Sequence, residues 1–515
     1  MIARGALESS PAAAPPGGPA ASVVPAGAPV ATAPLPKWLA LAVPLVLSAI
    51  WRIQRLAWPP HGNHAWRDAD GIGVARGFLH DSWNLLLPHV AERGGKSGIV
   101  GMELPFVDWL SAASMRLFGE SYLVARLPVY LCLPVLLWAT LALGRRVLGS
   151  EAAGRLAAAF IVLQPMVLVH ARKLMPEVPM LTLLVLGALA AHAALRRGSW
   201  PMTWAGAGAL ALAAMLKPTV ICLGAALAVW GVQALREAPA AARRSLLARA
   251  TVLAAVPLAC AALWYHHARR VDALYGLSWF KLHHDWRAAV RLLGSIDYDL
   301  FERDRLVTFI FSGAVVWLAV FQAPVMLRIL RERLGLALWL LASVALTYLM
   351  GEQNYSHIYY AIPMSAPACL LAGELVAECA RPTPHPRFSQ ASFLGIYAYM
   401  TLTCTIPFFD GPGYDFRAVE RTVQRLGPAP LSVVTDTNSP VVSLVRLRRN
   451  GWSLPAASLT PETLRRLRAE GARELVESDF GGWLTEAQRE ALPPPRYADA
   501  QLRIYDLLRL PTPAP

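Results

Sequence analysis

The chain reads as a polytopic α-helical membrane protein that carries a small α/β domain at its C-terminal end. Three observations predict this. Of 515 residues, 55% are hydrophobic and only 16% charged, and the mean hydropathy of +0.41 is too high for a soluble domain of ordinary composition. The apolar residues gather into about eleven runs, many close to the ~20 residues that cross the hydrocarbon as a helix. Beyond residue 410 the composition becomes that of a soluble domain. A net charge of +14 would suggest a nucleic-acid partner in a soluble chain. Here Arg and Lys collect in short turns between apolar runs, so the charge belongs to topology and no nucleic acid is expected.

Residues 1–36 are Ala, Pro and Gly with almost no charge and no signal-peptide layout, which predicts a disordered cytoplasmic tail. Spans are expected near 38–56, 121–143, 154–171, 176–195, 200–216, 219–235, 247–265, 306–327, 335–350, 357–379 and 391–409. With the N-terminus in the cytoplasm, the inner turns hold Arg145 and Arg146, Arg196 and Arg197, Arg236 to Arg249, Arg328 to Arg333, and Arg381 to Arg387, so that five successive turns obey the positive-inside bias. The segment Pro105 to Phe118 is too short to cross and contains Asp108 and Arg116. A crossing there would invert every later turn, which makes it a juxtamembrane helix on the outer face. A membrane unit thus covers 37–409. The first outer loop (57–120), the turn from Arg172 to Glu177, the junction Lys217-Pro218-Thr219, a loop from 266 to 305, the turn from Glu352 to Tyr360 and residues 410–515 all face outward.

In the last of these, apolar runs at Leu431 to Val434, Glu474 to Val476 and Leu502 to Leu507 alternate with helical patterns at Ser439 to Arg448 and Glu462 to Ala469, as in a small α/β layer. It has no Gly-rich phosphate loop, and the Gly71-Ile-Gly73-Val-Ala-Arg-Gly77 run of the first loop has the wrong third spacing for one. The six cysteines lie in or beside apolar runs without paired spacing, so neither a disulfide framework nor a zinc site is indicated.

Chemistry therefore concentrates on one side of the membrane. Asp70 is the first candidate: a hydroxyl or amine attacking an anomeric carbon needs a base, and a carboxylate in a water-poor cavity supplies one. A capping or solvated loop acid is the competing explanation. Asp68, two residues away, cannot share a helical face with it, so at most one of the pair points into a site. Glu103 precedes the juxtamembrane helix, where the helix dipole favours an acid in any case; binding substrate or orienting a base is its functional alternative. Arg172, Lys173 and Lys217 stand on the outer side against the bias of the other turns. Such cations can neutralise a departing lipid phosphate, whereas any one alone is explained by snorkelling. His357, Tyr359 and Tyr360 open a span, as an interfacial aromatic belt does. His266-His267 and His283-His284-Asp285 do not meet a metal-ligand spacing. A divalent metal is compatible with these residues but not indicated, and no other cofactor is called for.

The run Trp66-Arg67-Asp68-Ala69-Asp70, followed by Ala75-Arg76-Gly77-Phe78, Pro88, Gly101-Met102-Glu103-Leu104-Pro105, Leu117-Phe118-Gly119 and Ala125-Arg126-Leu127-Pro128, resembles the first outer loop of the GT-C membrane glycosyltransferases. It is most similar to bacterial family-39 members related to protein O-mannosyltransferases and the lipid A aminoarabinose transferase. Met175-Pro176-Glu177, Lys217-Pro218-Thr219 and His357-Ile358-Tyr359-Tyr360 look like later outer loops of that family. The resemblance covers most of 38–380 and leaves the C-terminal domain undecided. It implies a multi-pass protein of the bacterial cytoplasmic membrane with the C-terminal domain in the periplasm. It further implies a polyprenyl-phosphate-linked sugar donor, an acceptor that is a glycan, lipid or protein, and a catalytic carboxylate in the first outer loop, which maps onto Asp70. Many relatives carry Gln where this chain has Asp68, so a second acid accompanies the base. Arg67 and Glu177, inside the matching motifs, join the expected substrate-binding set. A transporter or flippase for a polar or lipid substrate is the rival reading. It would place ionisable groups at mid-membrane on repeated, broken helices; no internal repeat is found, and the spans carry almost no charge at their centres. A non-catalytic scaffold leaves so elaborate a first loop unexplained.

Overall fold

The computed structural model describes residues 34–62, 64–277, 295, 304, 306–350, 357–405, 431–436, 441–478 and 482–510, the side chains of 50–55 excepted. Within them the eleven apolar runs are helical, but not all as single uninterrupted helices. Five are long and apolar enough to cross a membrane: Tyr122–Leu148, Glu177–Arg197, Pro218–Glu237, Ala240–Tyr275 and Ile358–Ala380. A sixth span arises if Ala314–Phe321 and Ala323–Glu332, bent by 96° at their junction, are counted as one; Trp38–Ala49, Trp200–Leu216 and Leu334–Leu349 are shorter apolar helices. The expected run 154–171 is broken at Gln164, since Pro165 lacks an N–H and opens a separate helix, Pro165–His170. Helix Ala240–Tyr275 continues ten residues into the loop expected to begin at 266. The end of the expected N-terminal tail is packed: Leu35 is buried and its carbonyl accepts from Arg155, while residues 1–33 lie outside the described part.

The turns show why the helices stop where they do. Gly149 and Gly198 adopt positive φ (68° and 71°) at two helix C-termini, a conformation that costs glycine nothing. Each is followed by a serine, Ser150 or Ser199, whose hydroxyl caps the next helix. Arg145, Arg146, Arg196 and Arg197 occupy the last turns before these glycines, where the helix dipole favours cations.

At the opposite end of these helices, the first loop forms the helices Ala65–His80 and Phe106–Phe118. Both pack on Tyr122–Leu148. Residues 431–510 add a five-stranded sheet: β1 (Leu431–Thr435), β2 (Asn450–Leu454), β3 (Glu474–Ser478), β4 (Tyr497–Ala498) and β5 (Leu502–Asp506), in the order β2-β1-β3-β5-β4. β1 runs parallel to β2 and β3, and β5 is antiparallel to β3 and β4. Helix Val442–Arg446 is shorter than the pattern from Ser439 suggests. This unit rests on the first loop. Gly94 donates to the Gly451 carbonyl (2.8 Å), Gly451 to that of Ala91 (3.0 Å), Arg446 to that of Pro60 (2.6 Å) and Arg76 to that of Val445 (2.6 Å).

Candidate active site

The site is built where the helix Ala65–His80 meets three helix ends of the bundle. On an α-helix, residues two apart lie about 200° apart around the axis, and here Asp68 and Asp70 face different partners. Asp68 pairs with Arg126 (2.5 Å) and accepts the Leu174 N–H (2.7 Å). Arg126 also donates to the Leu56 and Trp58 carbonyls, both at 2.6 Å. Burial alone would raise the Asp68 pKa, but the charge and hydrogen bonds of Arg126, with Lys173 and the Leu174 amide, hold it below the usual carboxylate range. Asp68 is thus a spoken-for anion.

Asp70 is as deeply buried, yet neither carboxylate oxygen has a hydrogen-bond partner. Its nearest cation, Arg67, stands one turn back at 3.9 Å. Burial pushes its pKa far up; Arg67 opposes this, while Glu92, Asp108 and Glu103 add to it. Asp108, which the sequence suggested only as a charge that forbids a crossing, lies against the same helix and is itself raised to about 7 by burial. Glu92 is likewise raised to about 7, by burial and then by Asp436.

Beside Asp70, Arg67 is ion-paired with Glu103, Glu103 with Lys217 (2.5 Å), and Lys217 approaches Glu177 (3.5 Å). Burial disfavours charge on Glu103, but Lys217 and Arg67 outweigh it and lower its pKa. The backbone explains this meeting. Pro218 ends helix Trp200–Leu216 and leaves Lys217 extended (φ −154°, ψ 120°); one residue beyond Glu103, the Leu104 N–H donates to the Met215 carbonyl (3.0 Å), pinning the loop to that helix end. Trp264 donates to the Met102 carbonyl (3.0 Å) and Asp272 accepts from the Gly101 N–H (2.7 Å), fixing the same stretch to Ala240–Tyr275. Lys217 Nζ also lies 5.2 Å and 5.3 Å from the ring centres of Tyr359 and Tyr360, within cation–π range.

Arg172 and Lys173 do not join Lys217. They lie on the Asp68 side, with Arg126 and His61. Lys173 is buried and its Nζ has no hydrogen-bond partner; burial, with Arg172 and Arg126 against Asp68, lowers its pKa to about 7. Burial also lowers His61 to about 4. Gly71 lets the turn come this close, because a Cβ there would run into the Leu174 carbonyl. Tyr359 bridges the two halves: its ring is 5.1 Å from that of His64, 5.3 Å from His357 and 6.1 Å from His170.

The structure therefore brings Asp70, Arg67, Glu103, Lys217, Glu177, Tyr359 and Tyr360 into one acid-rich half. Asp68, Arg172 and Lys173 form an adjoining half in which, counting Arg126, three cations stand around the Asp68 carboxylate. His357 stands beside Trp66 and Tyr359 at the aromatic seam. Arg126, His61, His64, His170 and Asp108 were not singled out as site residues from the sequence; a charged residue in the first turns of a long apolar helix, as Arg126 is, was the available signal. Among the described residues no group of three His, Cys, Asp or Glu is placed to hold a metal ion, and His283 and His284 lie outside them.

This architecture is the GT-C fold of membrane glycosyltransferases, in a multi-pass membrane protein. ArnT from Cupriavidus metallidurans bound to undecaprenyl phosphate superposes with a TM-score of 0.64 at 16% identity, covering 92% of this chain and 99% of that one. The oligosaccharyltransferase AglB from Archaeoglobus fulgidus, in complex with an inhibitory peptide and a dolichol-phosphate, gives 0.51 at 12% identity, covering 86% and 69%. The arabinofuranosyltransferase AftD from Mycobacteria gives 0.52 at 14% identity, covering 93% and 42%. Residues 103–265 match the family described as dolichyl-phosphate-mannose-protein mannosyltransferase, in keeping with the superfamily resemblance of the first loop. No curated protein matches the chain significantly.

Proposed function

We propose that the chain transfers a sugar from a polyprenyl-phosphate donor to an acceptor, with Asp70 as the general base, at the outer face of the cytoplasmic membrane. The observation that carries this reading is the contrast between two buried acids on one helix: Asp68 is consumed by an ion pair, whereas both Asp70 oxygens are without hydrogen-bond partners beside the Arg67–Glu103–Lys217 network. A carboxylate raised by burial is a stronger base once ionised. Asp70 takes the proton from the acceptor's hydroxyl or amine. The acceptor atom bonds to the anomeric carbon, the bond from that carbon to the phosphate oxygen breaks, and polyprenyl phosphate leaves with the electron pair.

The surplus of positive charge lies with Arg172 and Lys173, so the donor phosphate is assigned to that half and the acceptor to the acid-rich half. Cations held in place in a dry site stabilise the charge on a leaving phosphate more than water would. Arg67 and Lys217 keep Glu103 ionised and oriented, Glu177 steadies Lys217, and His357, Tyr359 and Tyr360 line the junction where the sugar passes. ArnT with undecaprenyl phosphate and AglB with dolichol-phosphate support a lipid-phosphate donor.

The test is Asp70→Asn in purified full-length protein, reconstituted in vesicles and supplied with labelled polyprenyl-phosphate sugars. Transfer should fall by about 10²–10⁴-fold, the usual worth of a general base, with the melting temperature held. Undiminished transfer in a folded variant would overturn the assignment, and sugar or lipid movement across the vesicle without any transfer would favour a transporter.

A further inference from the structure

The end of the bundle remote from Asp70 holds a second concentration of charge. The helix that begins at Glu177 in the candidate site runs to Arg196 and Arg197 over 21 residues, about 30 Å at the usual rise. Around these two arginines lies a cavity of about 620 Å³ that Arg145, Arg146 and Arg333 also line, with Glu332 the one acid among its described lining residues. Arg145 is paired with Glu151, Arg196 with Glu237 and Arg333 with Glu374. Arg146 and Arg197 have no ion-pair partner among the described residues.

A topology signal alone requires cations near the membrane surface, not their convergence. Here the ends of two long helices and the Arg333 junction, brought together from distant parts of the chain, surround one hollow. Val147, Trp230, Leu334 and Leu336 give it an apolar face, while His192 and Gln233 add polar groups to the lining. The Trp230 ring is held edge-on to His192 at 5.1 Å, and its indole fills the space a side chain at Gly335 would take. Guanidinium forks match phosphate oxygens, and an apolar wall beside them suits the glycerol and first methylenes of a lipid better than a hydrated ion. Basic pockets between membrane helices accept lipid headgroups for this reason.

We propose that this cavity is a binding site for the phosphate of an anionic membrane lipid, separate from the candidate active site at the other end of the same helix. The phosphate accepts from Arg146 and Arg197, and the glycerol backbone lies against Trp230 and Leu336.

The experiment uses full-length protein in nanodiscs of phosphatidylcholine with and without phosphatidylglycerol, and reads retained lipid by native mass spectrometry. The R146Q/R197Q variant should hold phosphatidylglycerol about tenfold or more weakly, given the usual contribution of two surface arginines. The R243Q/R244Q variant removes the same charge outside the cavity and should retain the lipid as the parent does. Equal loss in both variants would reduce the effect to general surface attraction and overturn the site, as would no loss in either. Glycerol 3-phosphate binding as tightly in neutral nanodiscs as the lipid does would also overturn the lipid assignment, in favour of a soluble phosphate ester. Melting of each variant in neutral nanodiscs, expected to equal the parent's, separates lipid loss from misfolding.

Discussion

Asp70 and Lys173 are ionisable groups whose burial shifts them in opposite directions, Asp70 up and Lys173 down, and the proposed mechanism needs both in the charged form. Asp70 is raised, so it ionises only as pH climbs well beyond the usual carboxylate range; transfer should therefore increase with pH along this limb. Asp108 contributes to that elevation, and removing a like charge favours the anion. Asp108→Asn should accordingly move the rising limb of the pH–rate profile towards acid; an unmoved limb would show that another group sets it. Lys173 is lowered to about 7 and binds an anion only when protonated. Donor affinity should thus weaken as pH rises through about 7, and Lys173→Met should bind weakly at every pH and lose this dependence, which donor titration by calorimetry would reveal. Lys217 was legible as a candidate because it breaks a local expectation, a cation on the wrong side, and Glu103 because it stands at the start of the juxtamembrane helix, although the helix dipole favours an acid there in any case. That Asp68 is an anchor and Asp70 is not was hidden, because it depends on Arg126, fifty-eight residues away from Asp68.

At the scale of elements, the loop helix Ala65–His80 is held by ties at several points, and each tie predicts a cost. Removing one partner of a buried ion pair leaves an uncompensated charge, typically worth about 3–5 kcal/mol. Arg126→Gln should lower the melting temperature markedly, whereas Asp70→Asn, which breaks no hydrogen bond, should not. Linkage gives the Asp68 pair a pH signature: its folded pKa is lowered, so its contribution is present above the unfolded value and is lost as pH falls through the folded one. Melting of the parent should decline on acidification more steeply than that of Asp68→Asn. Gly101 offers a steric test, since a Cβ there would run into the Ala268 carbonyl. Gly101→Ala should displace the loop from Ala240–Tyr275 at a cost of about 1–3 kcal/mol, read as a lower melting temperature. The helices themselves were legible from apolar runs and from Gly-Ser turns. The break at Pro165 and the bend between Ala314–Phe321 and Ala323–Glu332 each fall at a proline, Pro165 or Pro324, a signal that the hydropathy runs do not use; the 96° angle of the bend was not legible, since a run of apolar residues does not report the direction of its axis.

Over the whole molecule, the C-terminal sheet is docked on the first loop through carbonyls at Pro60, Ala91 and Val445 and through Glu120, which Arg76 and Arg448 both approach (2.8 and 3.7 Å). Arg446→Ala together with Glu120→Gln should loosen this contact and speed proteolysis within 57–120, with little effect on the rest of the bundle. The fold thus presents two charged regions at opposite ends of one helix, acids and cations mingled around Glu177 and arginines around Arg197.

What the sequence determined by itself was the class of molecule and the side on which its polar groups gather, because hydropathy, the distribution of Arg and Lys, and local capping act within a few residues along the chain. What only the tertiary structure decided was the division of those groups into two halves. Ion pairs such as Arg126 with Asp68 and Lys217 with Glu103 join segments far apart in sequence, and their strength depends on burial and distance, which no local pattern encodes.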